Sequence, residues 1–248
     1  MEIGILGSGH IGKTLALKLA AASHTVKVAN SRGPDTIDRD VALTGARLVT
    51  KEEAVVNVEA VILSVPFARI PSIASLLANL PAEAVVIDTS NYIPARDERI
   101  ASIENGKTDS VWVTEQLGRP IAKAWNSIYS ATLEEMGRPT GHPERISAPV
   151  AADRKRDRQV TMALVEETGF DAYDAGTIAD SWRQQCGSPA YCTEVTLIDL
   201  PKALASADLA RSRRRQDLFF EIYEERFEIG TNPGREFVVQ LSKILNAS

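Results

Sequence analysis

The chain has few of the residues that build metal centres and disulfide scaffolds. Its 248 residues include two cysteines, Cys186 and Cys192, and three histidines, His10, His24 and His142. A four-ligand zinc site or a CxxC redox pair cannot be written from that set at ordinary spacings, so no metal site is expected. The two thiols, with five residues between them in CGSPAYC, read first as free thiols of a reducing compartment. A redox-active pair or a contact to bound substrate is the alternative. No apolar run approaches the roughly 18 residues of a membrane span, and no charged, apolar and small leader precedes the first strand pattern. The expectation is a cytoplasmic protein with no membrane partner.

Positive charge is also scarce, with 28 Lys and Arg against 33 Asp and Glu for a formal net charge of −5. That balance gives no reason to expect a nucleic-acid partner. The basic clusters 154–158 and 211–215 carry interleaved acids or lie in helical patterns, which suits solvated faces or salt bridges between subunits. What remains is ordinary for a globular fold, 44% hydrophobic and 25% charged. The length allows a sizeable core in one or two domains.

Against that background one stretch stands out. Residues 2–32 read as a short apolar strand, the glycine turn Gly7-Ser8-Gly9-His10-Ile11-Gly12, an amphipathic helix, a second strand and Asn30-Ser31-Arg32. Gly7 permits a sharp bend, Gly9 lets backbone approach a pyrophosphate, and Gly12 lets helix and strand pack closely. The free amides and positive dipole end of the helix then face the phosphates. Strand two chooses between cofactors, because NAD-preferring proteins end it in a carboxylate that receives the ribose 2′-hydroxyl. Here Asn30, Ser31 and Arg32 offer none. A hydroxyl and a guanidinium suit a 2′-phosphate, which favours NADP(H) over NAD(H).

Strand and helix signals alternate onward, as a doubly wound parallel sheet of Rossmann type requires. Strands are expected near 47–49, 60–65, 84–88, 121–125, 146–151 and 170–173. Helices are expected near 11–22, 52–57, 69–79, 95–105, 110–117, 127–136 and 154–168. From about residue 179 the pattern turns irregular and then helical, near 200–211, 212–228 and 234–246, with Asn232 and Pro233 placed to start the last helix. Residues 1–178 are therefore expected to form the dinucleotide-binding domain. Residues 179–248 form a C-terminal helical appendage that covers the site or pairs with a second copy. Leu218, Phe219, Ile222, Tyr223 and Phe227 suggest a buried partner surface, hence a homodimer.

In such sheets the ligand lies beyond the carboxyl ends of the strands. Ser64, Val65 and Pro66 end strand four, Asn91 follows strand five and Asn126 follows strand six. Val65 and Pro66 offer an apolar lip for a nicotinamide face, and Asn91 and Asn126 offer amides to its carboxamide, a ribose or a substrate. Such side chains also cap helices that follow strands, and both roles stay open.

GSGHIGKTLALKLA, ANSR, VILSVPF, VVIDTSN, KAWNSI and GFDAYDAG occur in that order. Together, over residues 1 to about 178, they resemble the F-420-dependent NADP oxidoreductase family, which also resembles the cytosolic oxidoreductase domain of the STEAP metalloreductases. The resemblance implies hydride transfer between NADP(H) and a second, small-molecule acceptor, a flavin or deazaflavin (coenzyme F-420) in known members. It implies phosphate contacts at Ser8, Gly9, His10 and Ile11, 2′-phosphate contacts at Ser31 and Arg32, and a nicotinamide side near Val65 and Ala124. Members often carry another basic residue after the Ser-Arg pair, where this chain has Gly33-Pro34-Asp35-Thr36, and a Gly-Thr-Gly-Asp or Gly-Thr-Gly-Asn turn. The tail beyond Ser181 is longer than in minimal members, which leaves the acceptor open.

Hydride transfer between stacked rings needs orientation and dryness more than acid-base help, and no catalytic dyad is visible. His10 is a possible proton donor, although its place in the turn suits an amide to phosphate and a ring at the pocket edge. Lys123 invites comparison with the lysine of 3-hydroxyacid dehydrogenases, which lies on a helix, whereas Lys123 falls in a strand pattern. Three functions follow: an NADP(H)-dependent oxidoreductase acting on a flavin, deazaflavin or other small acceptor; a reductase of a hydroxy acid, carbonyl or imine; and a non-enzymatic NADPH-sensing protein.

Overall fold

In the computed structural model, which describes residues 1–228 and 231–247, eight strands form one sheet in the order β3-β2-β1-β4-β5-β6-β7-β8. They are β1 (Glu2–Leu6), β2 (Thr25–Ala29), β3 (Arg47–Leu48), β4 (Ala60–Leu63), β5 (Val85–Asp88), β6 (Ala122–Lys123), β7 (Ser147–Ala152) and β8 (Asp171–Asp174). Seven ladders join them, and all are parallel except β6 with β7, where Ala122 faces Ala152 and Lys123 faces Ala151. The Rossmann-type sheet read from the sequence is thus mostly parallel with one reversed strand pair. Strand order reverses between β1 and β4, which is where such a sheet opens a crevice.

The strands are apolar on both faces because helices cover both. Ile3, Ile5, Val28, Ile62, Val85 and Ile87 bury into one layer with Leu15 and Leu19 of α1 (His10–Ala21) and Leu164 and Val165 of α8 (Lys155–Glu167). The intervening positions Leu6, Val61, Leu63 and Val86 bury into the other. There they meet α2 (Lys51–Ala54), α3 (Ile70–Leu77) and α6 (Asp109–Leu117) through Ala54, Leu77 and Val113. That alternation is the period-two pattern of a strand enclosed on both sides.

The helix expected over 95–105 is two short ones, α4 (Pro94–Asp97) and α5 (Ala101–Glu104), because Glu98 between them has φ of 62°. The expected 127–136 helix is shorter, α7 (Ser130–Glu135). The tail opens with a 3₁₀ turn over residues 179–184 and continues through α9 (Leu200–Ala205), α10 (Leu209–Arg226) and α11 (Arg235–Asn246). Its break falls at 206–208 rather than at 211/212, because the Asp208 carboxylate accepts the Arg211 amide and starts α10 there. The last helix starts one residue later than expected. Asn232 caps from outside it, its Oδ1 accepting from Gly234 N at 3.0 Å and from the Tyr129 hydroxyl at 2.5 Å.

Several arginines of the basic clusters are paired within the chain. Arg154 pairs with Asp157 at 2.6 Å and donates to the Ala82 carbonyl, and Arg158 pairs with Asp174 at 3.1 Å. Arg213 donates to the Ile103 and Glu104 carbonyls, tying α10 to α5. Phe219, Phe220, Tyr223 and Phe227 form a chain of ring contacts that ends on Phe237 of α11, with centroids 4.9–6.4 Å apart.

Candidate dinucleotide site

The glycine turn joins β1 to α1 at the switch point. Gly7 has φ of 111°, and a Cβ there would lie 2.0 Å from the Ser64 carbonyl oxygen. At Gly12 it would lie 1.9 Å from the Gly7 oxygen, so both positions are closed to any side chain. Gly9 differs, since a Cβ there meets nothing within 4 Å and the residue is exposed. It is also the N-cap of α1, with no side chain accepting the first amides and no acid in the first turn. A 12-residue helix with uncapped amides behind open backbone is a site for an anion, so the residues present fit a pyrophosphate.

Ser8 is half-buried and holds the neighbouring loop, its hydroxyl receiving Asn30 Nδ2 at 3.3 Å. Asn30 also donates to the Thr36 hydroxyl at 2.9 Å and accepts the Arg32 amide at 2.9 Å, so its amide is a clasp between turn and loop. Ser31 and Arg32 lie beyond it, exposed, and the Arg32 guanidinium has no hydrogen bond or ion pair among the described residues. The nearby carboxylates Asp38 and Asp40 face Lys13, whose hydrogen bond to Asp38 raises its own pKa and lowers that of Asp38. A free guanidinium beside a carboxylate-free strand end fits a 2′-phosphate. His10 is exposed at the first position of α1, and Ile11 is half-buried against the core.

At the other strand ends, Ser64 and Val65 are half-buried and Pro66 is exposed. Phe67 anchors that lip, buried between Trp112 at 4.8 Å and Tyr92 at 5.5 Å. Ala124 is buried, and Trp125 turns the chain through φ of 57°, its indole donating to the Thr168 hydroxyl at 3.1 Å. The turn sends the buried Asn126 toward Asn91. Asn91 Nδ2 donates to the Asn126 carbonyl at 2.8 Å, and Asn126 Nδ2 donates to Asn91 Oδ1 at 3.0 Å and to the Gln184 carbonyl at 2.9 Å. Gln184 Nε2 returns a bond to Asn126 Oδ1 at 2.9 Å, so the Asn126 amide is committed to protein partners.

Beneath this knot lie Lys123, which falls in a strand as expected, and a partner that sequence reasoning passed over, Asp88. Lys123 and Asp88 are fully buried and pair at 2.7 Å, with the Lys123 ammonium also on the Ser90 carbonyl. Asp88 Oδ1 accepts both Ser90 N and Oγ, completing a satisfied buried ion pair. Lys123 therefore joins β5 to β6 in an enclosed pair. The signal was present, as single charges ending the apolar runs VVID and IAK. Nearby Asp109, the first residue of α6, is 7% exposed and is pushed up to about 7 by burial, against the lowering effect of Lys123. Cys186 and Cys192 are free and buried; burial pushes the Cys186 thiol up to about 12 and Cys192 upward as well, so both stay protonated. No cluster of three metal-ligating side chains occurs among the described residues, and no described helix is long and apolar enough to cross a membrane.

Residues 2–92 match the family described as NADP oxidoreductase, coenzyme F420-dependent. The Escherichia coli (strain K12) protein YjhV is 33% identical over 108 residues, which are 44% of this chain and 77% of that protein. Metalloreductase STEAP3 of Rattus norvegicus is 25% identical over 73% of this chain, but only 35% of that protein is matched. The crystal structure of the hypothetical protein SMa0349 from Sinorhizobium meliloti superposes with a TM-score of 0.68 at 27% identity, covering 79% of this chain and 95% of that one.

Proposed function

Because the chain belongs to the coenzyme F420-dependent NADP oxidoreductase family, we propose that it binds NADP(H) and serves hydride transfer to or from a small acceptor. The observation that carries the reading is the pairing of a glycine turn with no side-chain cap and an Arg32 guanidinium without a partner among the described residues. The amides of the first turn of α1 hold the pyrophosphate, and Gly9 keeps the approach open. The Ser31 hydroxyl and Arg32 guanidinium hold the 2′-phosphate. The Val65–Pro66 lip supports one face of the nicotinamide, which supplies the hydride when bound. Residues 1–178 form the cofactor-binding unit, residues 179–248 cover it, and the protein works in the cytoplasm as a homodimer.

The acceptor is a flavin, a deazaflavin or a small carbonyl, imine or hydroxy acid. One observation favours the small-molecule reading: Asp109 is a buried carboxyl held near neutral pKa, as a fixed acid-base group would be. The test is to follow NADPH absorbance against a panel of flavins, 5-deazariboflavin and small carbonyl compounds. Oxidation by one class names the acceptor. NADPH binding with no acceptor reduced replaces the enzyme reading with nucleotide sensing.

A further inference from the structure

A cavity of about 130 Å³ lies between α10 and the segment that follows β5, and no role has been given to it above. Its walls include Tyr92, Asp109, Trp182, Gln185, Cys186 and Ser212. It adjoins the knot at the strand ends through chain neighbours, since Tyr92 follows Asn91 and Gln185 follows Gln184. Two of its polar groups are anomalous. Gln185 Nε2 and Ser212 Oγ are buried and have no hydrogen-bond partner among the described residues, although the residues are only 9% and 2% exposed. Buried donors are ordinarily paired.

We propose that this cavity binds a small, uncharged carbonyl compound, whose oxygen is received by the unpartnered donors of Gln185 and Ser212 beside the Asp109 carboxyl. The inference rests on the oxidoreductase reading and names the acceptor class within it. Size is the first argument. A dry cavity of about 150 Å³ takes a benzene molecule, so this one takes five or six non-hydrogen atoms and excludes the three fused rings of a flavin or deazaflavin. Chemistry is the second. The amide and hydroxyl are orphaned, and the Asp109 carboxyl has one long hydrogen bond among the described residues, 3.4 Å from Tyr92 N. The cationic side chains on the wall are engaged elsewhere, Arg99 with Glu104 and Arg213 with backbone carbonyls, so an anionic ligand finds no free counter-ion.

Proton occupancy follows from the surroundings of Asp109. It faces Asp88 on β5, Lys123 on β6 and Arg213 on α10, with Tyr92 beside it and Cys186 on the same wall. Burial outweighs the cations and holds it near 7. Only the protonated form donates to a carbonyl oxygen, so affinity falls as pH rises through that value.

Trp182 in the wall gives a direct readout. Titrating the whole protein with hydroxyacetone is expected to quench Trp182 fluorescence saturably, about tenfold more weakly at pH 8 than at pH 6, and 5-deazariboflavin is expected to leave that signal unchanged. Gln185→Leu should weaken hydroxyacetone binding at least fivefold, and Asp109→Asn should abolish the pH dependence. NADPH binding, measured separately through its own fluorescence, should survive in both variants and reports that they are folded. NADPH binding without a hydroxyacetone response overturns the cavity assignment alone, as does quenching by 5-deazariboflavin. Failure of the wild-type protein to bind NADPH overturns the oxidoreductase reading itself.

Discussion

The two sides of the site are made of different material. On the side of β1, α1 and β2, the groups that would meet a ligand are backbone amides and two exposed side chains, none of which supports the core. Beyond β5 and β6 they are buried side chains gathered from α6, the end of the 3₁₀ turn and α10, enclosed by the fold itself. Binding and stability are therefore separable on the first side and coupled on the second.

The sharpest way to break that contrast is at Lys123. Lys123→Met leaves Asp88 charged and enclosed, and should cost about 3–5 kcal/mol in denaturant unfolding, with the double variant Lys123→Met/Asp88→Leu recovering most of it. Recovery would sharpen the view that the pair is architectural; a stable single variant would break it. Asp109 comes next. Its folded pKa of about 7 lies above the ordinary 3.8, so the folded state holds a proton the unfolded state has released. Stability is then lost as pH rises from about 4 to 7 and is flat above. Asp109→Asn should gain over wild type across that window, by an amount of order 2–4 kcal/mol at pH 8 in paired unfolding curves.

On the backbone-built side, Gly7→Ala forces a Cβ into the Ser64 carbonyl at positive φ and should cost about 2 kcal/mol or more. Gly9→Ala should change stability by less than about 0.5 kcal/mol yet weaken NADPH and NADH equally, as calorimetric titration would report. The smallest effect is the most selective. Arg32→Ala should weaken NADPH binding about tenfold, near 1.4 kcal/mol, and leave NADH binding and melting temperature unchanged. Equal loss for both cofactors would remove the 2′-phosphate assignment, and a lowered melting temperature would erase the contrast between the sides.

The same contrast explains what was legible in the sequence. The strand-turn-helix of residues 2–32 is local, and its roles follow from residue type and order: glycines, apolar alternation and the absence of an acid after β2. The central strands could be read because both faces are buried and each run is short and apolar. The reversal of β7 could not, because strand direction depends on how the long segment after β6 returns to the sheet. Nor could the second side be read. Asp109, Gln185 and Ser212 are unremarkable in sequence and acquire meaning only when α10 brings residues more than a hundred positions apart against one wall. Topology places Asn91 and Asn126 at strand ends, but not their bonds to each other or those of Asn126 to Gln184, far along the chain.

That amide knot bears on where this protein can be cut. A chain ending at residue 178 would lose Gln184 from Asn126, Ser181 from the Ser110 hydroxyl, the Cys192 amide from the Ser127 carbonyl and Gln216 from the Tyr92 carbonyl. Each loss strands a polar group that the intact chain pairs, and several lie at the ends of central strands. Sheet and tail are therefore expected to melt as one cooperative unit, and a minimal fragment that still behaves as a nucleotide-binding module is expected to need the chain past residue 216.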